Sequence, residues 1–252
     1  MMHIEKIGLM TPGDMGQAVA QQLKAKGHAV CTALDKRSER SRKLAQQAGL
    51  ADLGNIRRLV QECDLVLSIM NPGAALDFAR EAADALRATG RHTLIVDCNA
   101  IAPDTVLAID AMVRDAGGRF LDGGIIGAPP RGNTKTQLYV SGPDAADLEQ
   151  LAGPQLLVHV ISERIADASA LKMCFAGLNK GTQLLWLEIL MAALATTTGR
   201  GRPAGGPVAA VFGWHVRLVA RPVPQAAGQG PSMGTGDAGD SGHPRLRRRH
   251  AQ

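Results

Sequence analysis

Ser169-Ala170-Leu171-Lys172-Met173-Cys174-Phe175 sets one lysine at the start of an otherwise apolar helical run. Lysine is almost never fully buried without a partner. Facing a cleft, it would lose hydration, and its pKa would fall toward the range useful for general acid–base work. Facing outward, its stem would lie along apolar surface with the ammonium in water. Asn179 follows at i+7 on nearly the same helical face, and Lys180 lies one residue further round. No histidine stands close enough in sequence to serve as base. The sole tyrosine, Tyr139, has Pro143 four residues on, so a Tyr-x-x-x-Lys pair is absent.

A second group of chemically suggestive residues opens the chain. Gly8-Leu9-Met10-Thr11-Pro12-Gly13-Asp14-Met15-Gly16 keeps a G-x-x-G half in Gly13 and Gly16, but Thr11 stands where a G-x-G-x-x-G turn has its first glycine. A pyrophosphate needs backbone N–H groups at a helix start and a glycine where the chain passes close to it. Gly13 suits the close approach, and Gly16 suits helix-on-strand packing. Thr11 and Pro12 form the turn, with the Thr11 hydroxyl as an extra donor. Gly8, Met10, Thr11, Gly13, Met15 and Gly16 are therefore the candidate cofactor turn, the alternative being a glycine-rich loop. At the end of the next apolar run stands Asp35-Lys36-Arg37-Ser38. A carboxylate there suits the adenosine ribose of NAD, whereas Arg37 and Ser38 suit the 2′-phosphate of NADP.

These groups need a scaffold. Short apolar runs at 4–10, 29–34, 65–70, 93–98, 137–141 and 156–161 read as strands, with helical periods at 15–26, 38–47 and 103–114 between them. Residues 120–127 read as a strand that leaves the sheet at its glycines. Strands alternating with helices imply a doubly wound α/β fold, a parallel sheet covered on both faces, with ligands at the carboxyl ends of the strands. From 167 to about 196 one long helix follows, with an apolar stripe of Leu171, Phe175, Leu178, Leu185 and Ile189. The expected organisation is a nucleotide-binding domain over 1–165, a long interdomain helix over 166–198 that starts a truncated helical domain, and a disordered tail over 199–252.

Charge and composition narrow the function classes. Residues 199–252 carry eight Arg against two Asp, whereas 1–198 hold 20 Lys plus Arg against 21 Asp plus Glu. The basic excess thus belongs to the tail, which also holds 11 Gly and 6 Pro. With 3% aromatic residues there is no base-stacking surface, so nucleic acid is not the expected partner. Cys31, Cys63, Cys98 and Cys174 are scattered, with no zinc-like spacing, and no metal site is expected. Glu5 and Lys6 precede a short apolar run unlike a signal peptide, and the apolar stretch 184–195 is too short to span a bilayer. A cytoplasmic protein acting on a small molecule is expected.

The order of these segments resembles the β-hydroxyacid dehydrogenases, relatives of 6-phosphogluconate and 3-hydroxyisobutyrate dehydrogenases, and within them the branch with a DUF1932 C-terminal domain. The residues that carry it are 7–16, Val96-Asp97-Cys98-Asn99-Ala100, the stretch 120–130 with Asp122-Gly123-Gly124-Ile125-Ile126-Gly127, and Ser169-Ala170-Leu171-Lys172-Met173. The resemblance implies that Gly13, Met15 and Gly16 hold the pyrophosphate of NADP or NAD. Arg37 and Ser38 would then meet the adenosine end, and Asn71 and Pro72 would flank the cofactor. It assigns the substrate to Asn99, Gly123, Gly124, Ile125 and Gly127, and acid–base work to Lys172 in hydride transfer with a small hydroxy acid or related alcohol. It also implies a homodimer where the helical domain is complete. Ala176 stands where the wider family has an Asn, so Asn179 and Lys180 are the candidate replacements. A catalytically silent NADP-binding module is the alternative expectation.

Overall fold

The computed structural model describes residues 2–35 and 37–197, with the side chains of 194–197 excepted. The tail expected at 199–252 lies outside the described residues. The chain divides into two compact units, 1–186 and 187–252. Of the second, only the end of the last helix is described.

The first unit is a doubly wound α/β fold. Strands β1 (Lys6–Met10), β2 (Ala29–Thr32), β3 (Ala51–Asp52), β4 (Leu65–Ser68), β5 (Leu94–Asp97), β6 (Arg119–Ile126), β7 (Thr136–Ser141) and β8 (Leu156–Ser162) form one sheet in the order β3-β2-β1-β4-β5-β6-β7-β8. Helices α1 (Asp14–Ala25), α2 (Glu39–Gln47), α3 (Ile56–Glu62), α4 (Ala75–Thr89) and α5 (Pro103–Asp115) link the first six strands, which all run parallel. Apolar side chains fill both faces. Val19 and Leu23 of α1 pack in one cluster, and Leu59, Phe78, Leu86 and Val113 pack in the other.

Two expectations need correction. The sheet is not wholly parallel: β7 runs antiparallel to β6, because the connection 127–135 is too short for a helical crossover. Nor does β6 leave the sheet at its glycines, since Gly123 and Gly124 pair with Val140 and Tyr139 and the strand continues to Ile126. The glycines are there for close approach. A Cβ on Gly123 would sit 2.9 Å from Cys98 Sγ, and one on Gly124 would sit 3.0 Å from the Ala168 carbonyl oxygen and 3.3 Å from Lys172 Cβ.

Helix α6 runs from Asp167 to Thr197, unbroken through Gly177 and Gly181. Its apolar stripe faces outward in this chain: Leu178 is 72% exposed, and Leu171, Phe175, Leu185 and Ile189 are exposed as well.

Candidate functional site

The glycine turn lies where the sheet order reverses. β1 and β4 are neighbours, and the chain winds away from them in opposite directions, which opens a crevice at their carboxyl ends. Thr11 N–H donates to the Ile69 carbonyl at 2.9 Å, and Gly13 N–H to the Thr11 carbonyl at 2.7 Å, so the turn is braced against the end of β4. Gly13 is the N-cap of α1, extended at φ −77° and ψ −169°, and no side chain caps the helix. The first-turn amides of a helix lack intrahelical acceptors and carry the positive end of its dipole. At residues 14–16 they are what an incoming anion would meet.

The two glycines of the turn differ in what demands them. A Cβ on Gly16 would sit 2.1 Å from the Thr11 carbonyl oxygen, so the turn itself excludes any side chain there. A Cβ on Gly13 would meet nothing within 4 Å, and its φ is one that any residue adopts. Neither packing nor backbone conformation requires glycine at 13. Gly8 serves packing instead, since a Cβ there would meet Leu59 Cγ at 2.8 Å, and it thereby seats α3 on β1. Met10 is fully buried in the core. Asn71 and Pro72 lie exposed just past β4, where Asn71 Oδ1 accepts the Gly73 N–H at 3.0 Å.

At the carboxyl end of β2, Ser38 caps α2 by accepting the Ser41 N–H at 3.3 Å. Arg37 stands beside it, and its Nε is buried with no hydrogen-bond partner. A guanidinium donor left without an acceptor suits an anionic group. Sequence reasoning passed over Ser41, whose Oγ lies 3.2 Å from Ser38 Oγ. Its spacing from Ser38, one helical turn, was the available signal.

Across the sheet, Lys172 lines a cleft of about 320 Å3 together with Ile125, Gly127, Asn179, Lys180 and Gln183. Gln183 went unnoticed in the sequence, although at i+11 from Lys172 it falls on the same helical face. Lys172 Nζ donates to the Cys98 carbonyl at 3.3 Å. Loss of hydration pulls its pKa below the usual 10.5, against the opposing pull of Cys98, Asp97 and Asp122. The lysine is therefore half-buried and partnered by a neutral carbonyl, not a carboxylate.

A buried carboxylate fixes where that lysine stands. Asp122 in β6 accepts from Ser169 N–H at 2.8 Å, from Ser169 Oγ at 2.6 Å and from Ser141 Oγ at 3.2 Å, while Ser141 Oγ accepts the Ala168 N–H at 3.0 Å. Asp122, Ser141 and Ser169 are all fully buried. Burial pushes the Asp122 carboxyl up, and the Ser169 and Ser141 hydrogen bonds work against it. Together they pin the first turn of α6 to the sheet, with Lys172 three residues after Ser169.

Residues 6–153 match the NAD binding domain of 6-phosphogluconate dehydrogenase. The chain belongs to that family. A relative from Methanothermus fervidus, an uncharacterized 28.5 kDa protein in the 7S RNA 5′ region, is 28% identical over 188 residues, which are 75% of this chain and 70% of that protein. Among solved structures, a conserved protein of unknown function, reported as structurally similar to 3-hydroxyacid dehydrogenases, is 29% identical with a TM-score of 0.63. The likeness covers 76% of this chain and 71% of that one. The V8 variant of an imine reductase from Myxococcus stipitatus, in complex with NAD+, shares the fold at 21% identity and a TM-score of 0.61, over 86% of this chain and 73% of its own.

Within this 6-phosphogluconate dehydrogenase-type frame, three of the expected substrate contacts take other places. Asn99 is 3% exposed, and both polar atoms of its side chain are engaged. Its Nδ2 donates to Ser68 Oγ at 2.8 Å and to Asp97 Oδ2 at 2.7 Å, and its Oδ1 accepts the Met70 N–H at 2.6 Å. It ties the ends of β4 and β5 together beneath the crevice and does not reach into it. Gly123 and Gly124, buried in β6, are likewise absent from the cleft lining and serve the close packing of β5 and α6. Ile125, Gly127, Lys172 and Asn179 do come together. Among the described residues no cluster of three or more metal-ligating side chains occurs, and no helix is long and apolar enough to cross a membrane.

Proposed function

We propose that this chain is an NAD(P)-dependent oxidoreductase acting on a small hydroxy acid or related alcohol, with Lys172 as general acid–base residue. The observation that carries this reading is Lys172 itself: a half-buried lysine without a carboxylate partner, in a cleft, on a chain of the 6-phosphogluconate dehydrogenase NAD-binding-domain family. The amides of Asp14, Met15 and Gly16 hold the pyrophosphate, Gly13 gives it room, and Asn71 and Pro72 border it. When bound, the nicotinamide supplies or accepts the hydride. Lys172 Nζ moves the proton of the substrate oxygen, and Asn179 offers an amide to the same oxygen or to a neighbouring group. The unpartnered Nε of Arg37 beside Ser38 favours NADP over NAD. The outward apolar stripe on α6 is the face expected to pair in a homodimer.

Two competing readings share this architecture. An imine in place of the alcohol is favoured by the fold shared with an imine reductase. A catalytically silent NADP-binding module is favoured by Ala176, which lines the cleft but offers no polar group one turn after Lys172. Separate titrations with NADH and NADPH, each followed by a turnover screen of hydroxy acids, carbonyls and imines, decide among them. Tighter binding of NADPH with turnover of a hydroxy acid is the expected result. Binding without turnover of any substrate would reject the enzymatic reading.

A further inference from the structure

The acidic residue at the start of α1 is out of place for a pyrophosphate site. An acid in a first helical turn is normally favourable, because it meets the positive end of the dipole. Here it stands among the same amides that the diphosphate must use, and a carboxylate repels phosphate oxygens through the local field. The structure shows a remedy. Arg131, in the β6–β7 connection, donates from Nη2 to Asp14 Oδ1 at 2.7 Å and to the Asp14 carbonyl at 3.0 Å. The same connection touches α1 again where Gln22 Nε2 donates to the Pro130 carbonyl at 3.4 Å. At its start the connection carries Gly127, which lines the Lys172 cleft.

We infer that Arg131 is a further cofactor-binding residue, reaching across from the substrate side to neutralise Asp14 so that the α1 amides accept a dinucleotide diphosphate. The inference rests on the assignment of the α1 start as the pyrophosphate site. Stability does not account for the pair. Its side chains are 46% and 61% exposed, and exposed ion pairs contribute little to folding. Its placement between the anion site and the loop that borders the cleft links the cofactor to the substrate side.

A double-mutant cycle on the full chain tests this, read by NADPH fluorescence at low and at moderate salt. Arg131→Ala is expected to weaken NADPH binding about tenfold, because one charge at the phosphate is left unopposed. Asp14→Asn alone should tighten binding by up to about threefold, because Arg131 then stands beside the diphosphate without its carboxylate. The double variant should recover to within about threefold of the unaltered chain, and the difference between the single variants should shrink as salt screens it. Since the pair is exposed and a first-turn acid contributes at most about 1 kcal/mol, all three variants should melt within about 4 °C of the unaltered chain. Unchanged affinity in Arg131→Ala would overturn the inference, and so would a double variant as weak as Arg131→Ala. An unaltered chain that binds neither NADPH nor NADH would instead overturn the pyrophosphate assignment beneath it.

Discussion

Lys172→Ala should lower kcat by about 10^2–10^4 while leaving NADPH affinity within about twofold of the unaltered chain. The size follows from what a positioned proton donor or acceptor contributes, and the split follows from place. Lys172 lines the cleft of Ile125, Gly127 and Asn179, whereas the candidate phosphate amides lie at the start of α1, past the end of β1. The fold should survive the change. Removing the ammonium takes away a desolvated charge and leaves only the Cys98 carbonyl without its 3.3 Å donor. The pH dependence has a definite sign. Desolvation lowers the Lys172 pKa, so the neutral amine forms at lower pH than in a free lysine. Alcohol oxidation needs that amine as base and should rise with pH through the shifted pKa. Carbonyl reduction needs the ammonium as acid and should fall through it. Steady-state kinetics in both directions over pH 6–11 (about that range) checks this. An equal loss of turnover and of cofactor affinity in Lys172→Ala would remove the acid–base role.

The second large effect separates two glycines three residues apart. Gly13→Ala should fold normally, with stability changed by no more than about 0.5 kcal/mol, because the new methyl meets nothing within 4 Å. It should nonetheless weaken NADPH at least about tenfold, since the proposed pyrophosphate site brings the diphosphate past the backbone at that open space. Gly16→Ala should behave in the opposite order. Its methyl would lie 2.1 Å from the Thr11 carbonyl oxygen, so the turn must shift, and stability should fall by about 1–3 kcal/mol before any ligand is added. Thermal melts with and without NADPH resolve the pair. A Gly13→Ala protein that binds NADPH as the unaltered chain does would show that the open space at 13 has nothing to do with phosphate.

Much of this was legible from residue pattern because the elements concerned carry strong periodic signals. The turn after β1 and the start of α6 were both visible, the first from glycine spacing and the second from a lysine in an apolar run. What stayed hidden depends on contacts that pattern does not encode. The two-residue strand β3 is too short to show alternation. The direction of β7 is decided by the length of the 127–135 connection, not by its apolar content. Asn99 sits at a strand end, where ligands bind in such folds, yet its amide is engaged by Ser68, Asp97 and Met70, and only coordinates show that. Glycines 123 and 124 looked like a break in a strand, but they are places where Cys98 and α6 come within Cβ distance. Asp122 was noticed only as part of a motif. Its role, capping α6 from a strand 47 residues away, is a tertiary contact.

In the proposed function, free amides at the start of α1 grip the cofactor's phosphates. Amide hydrogen exchange of the full chain, followed with and without saturating NADPH, tests it at those atoms. Exchange should slow at Asp14, Met15 and Gly16, whose N–H groups lie in the uncapped first turn. Saturation by NADPH with exchange at 14–16 unchanged, and protection placed elsewhere on the chain, would contradict it.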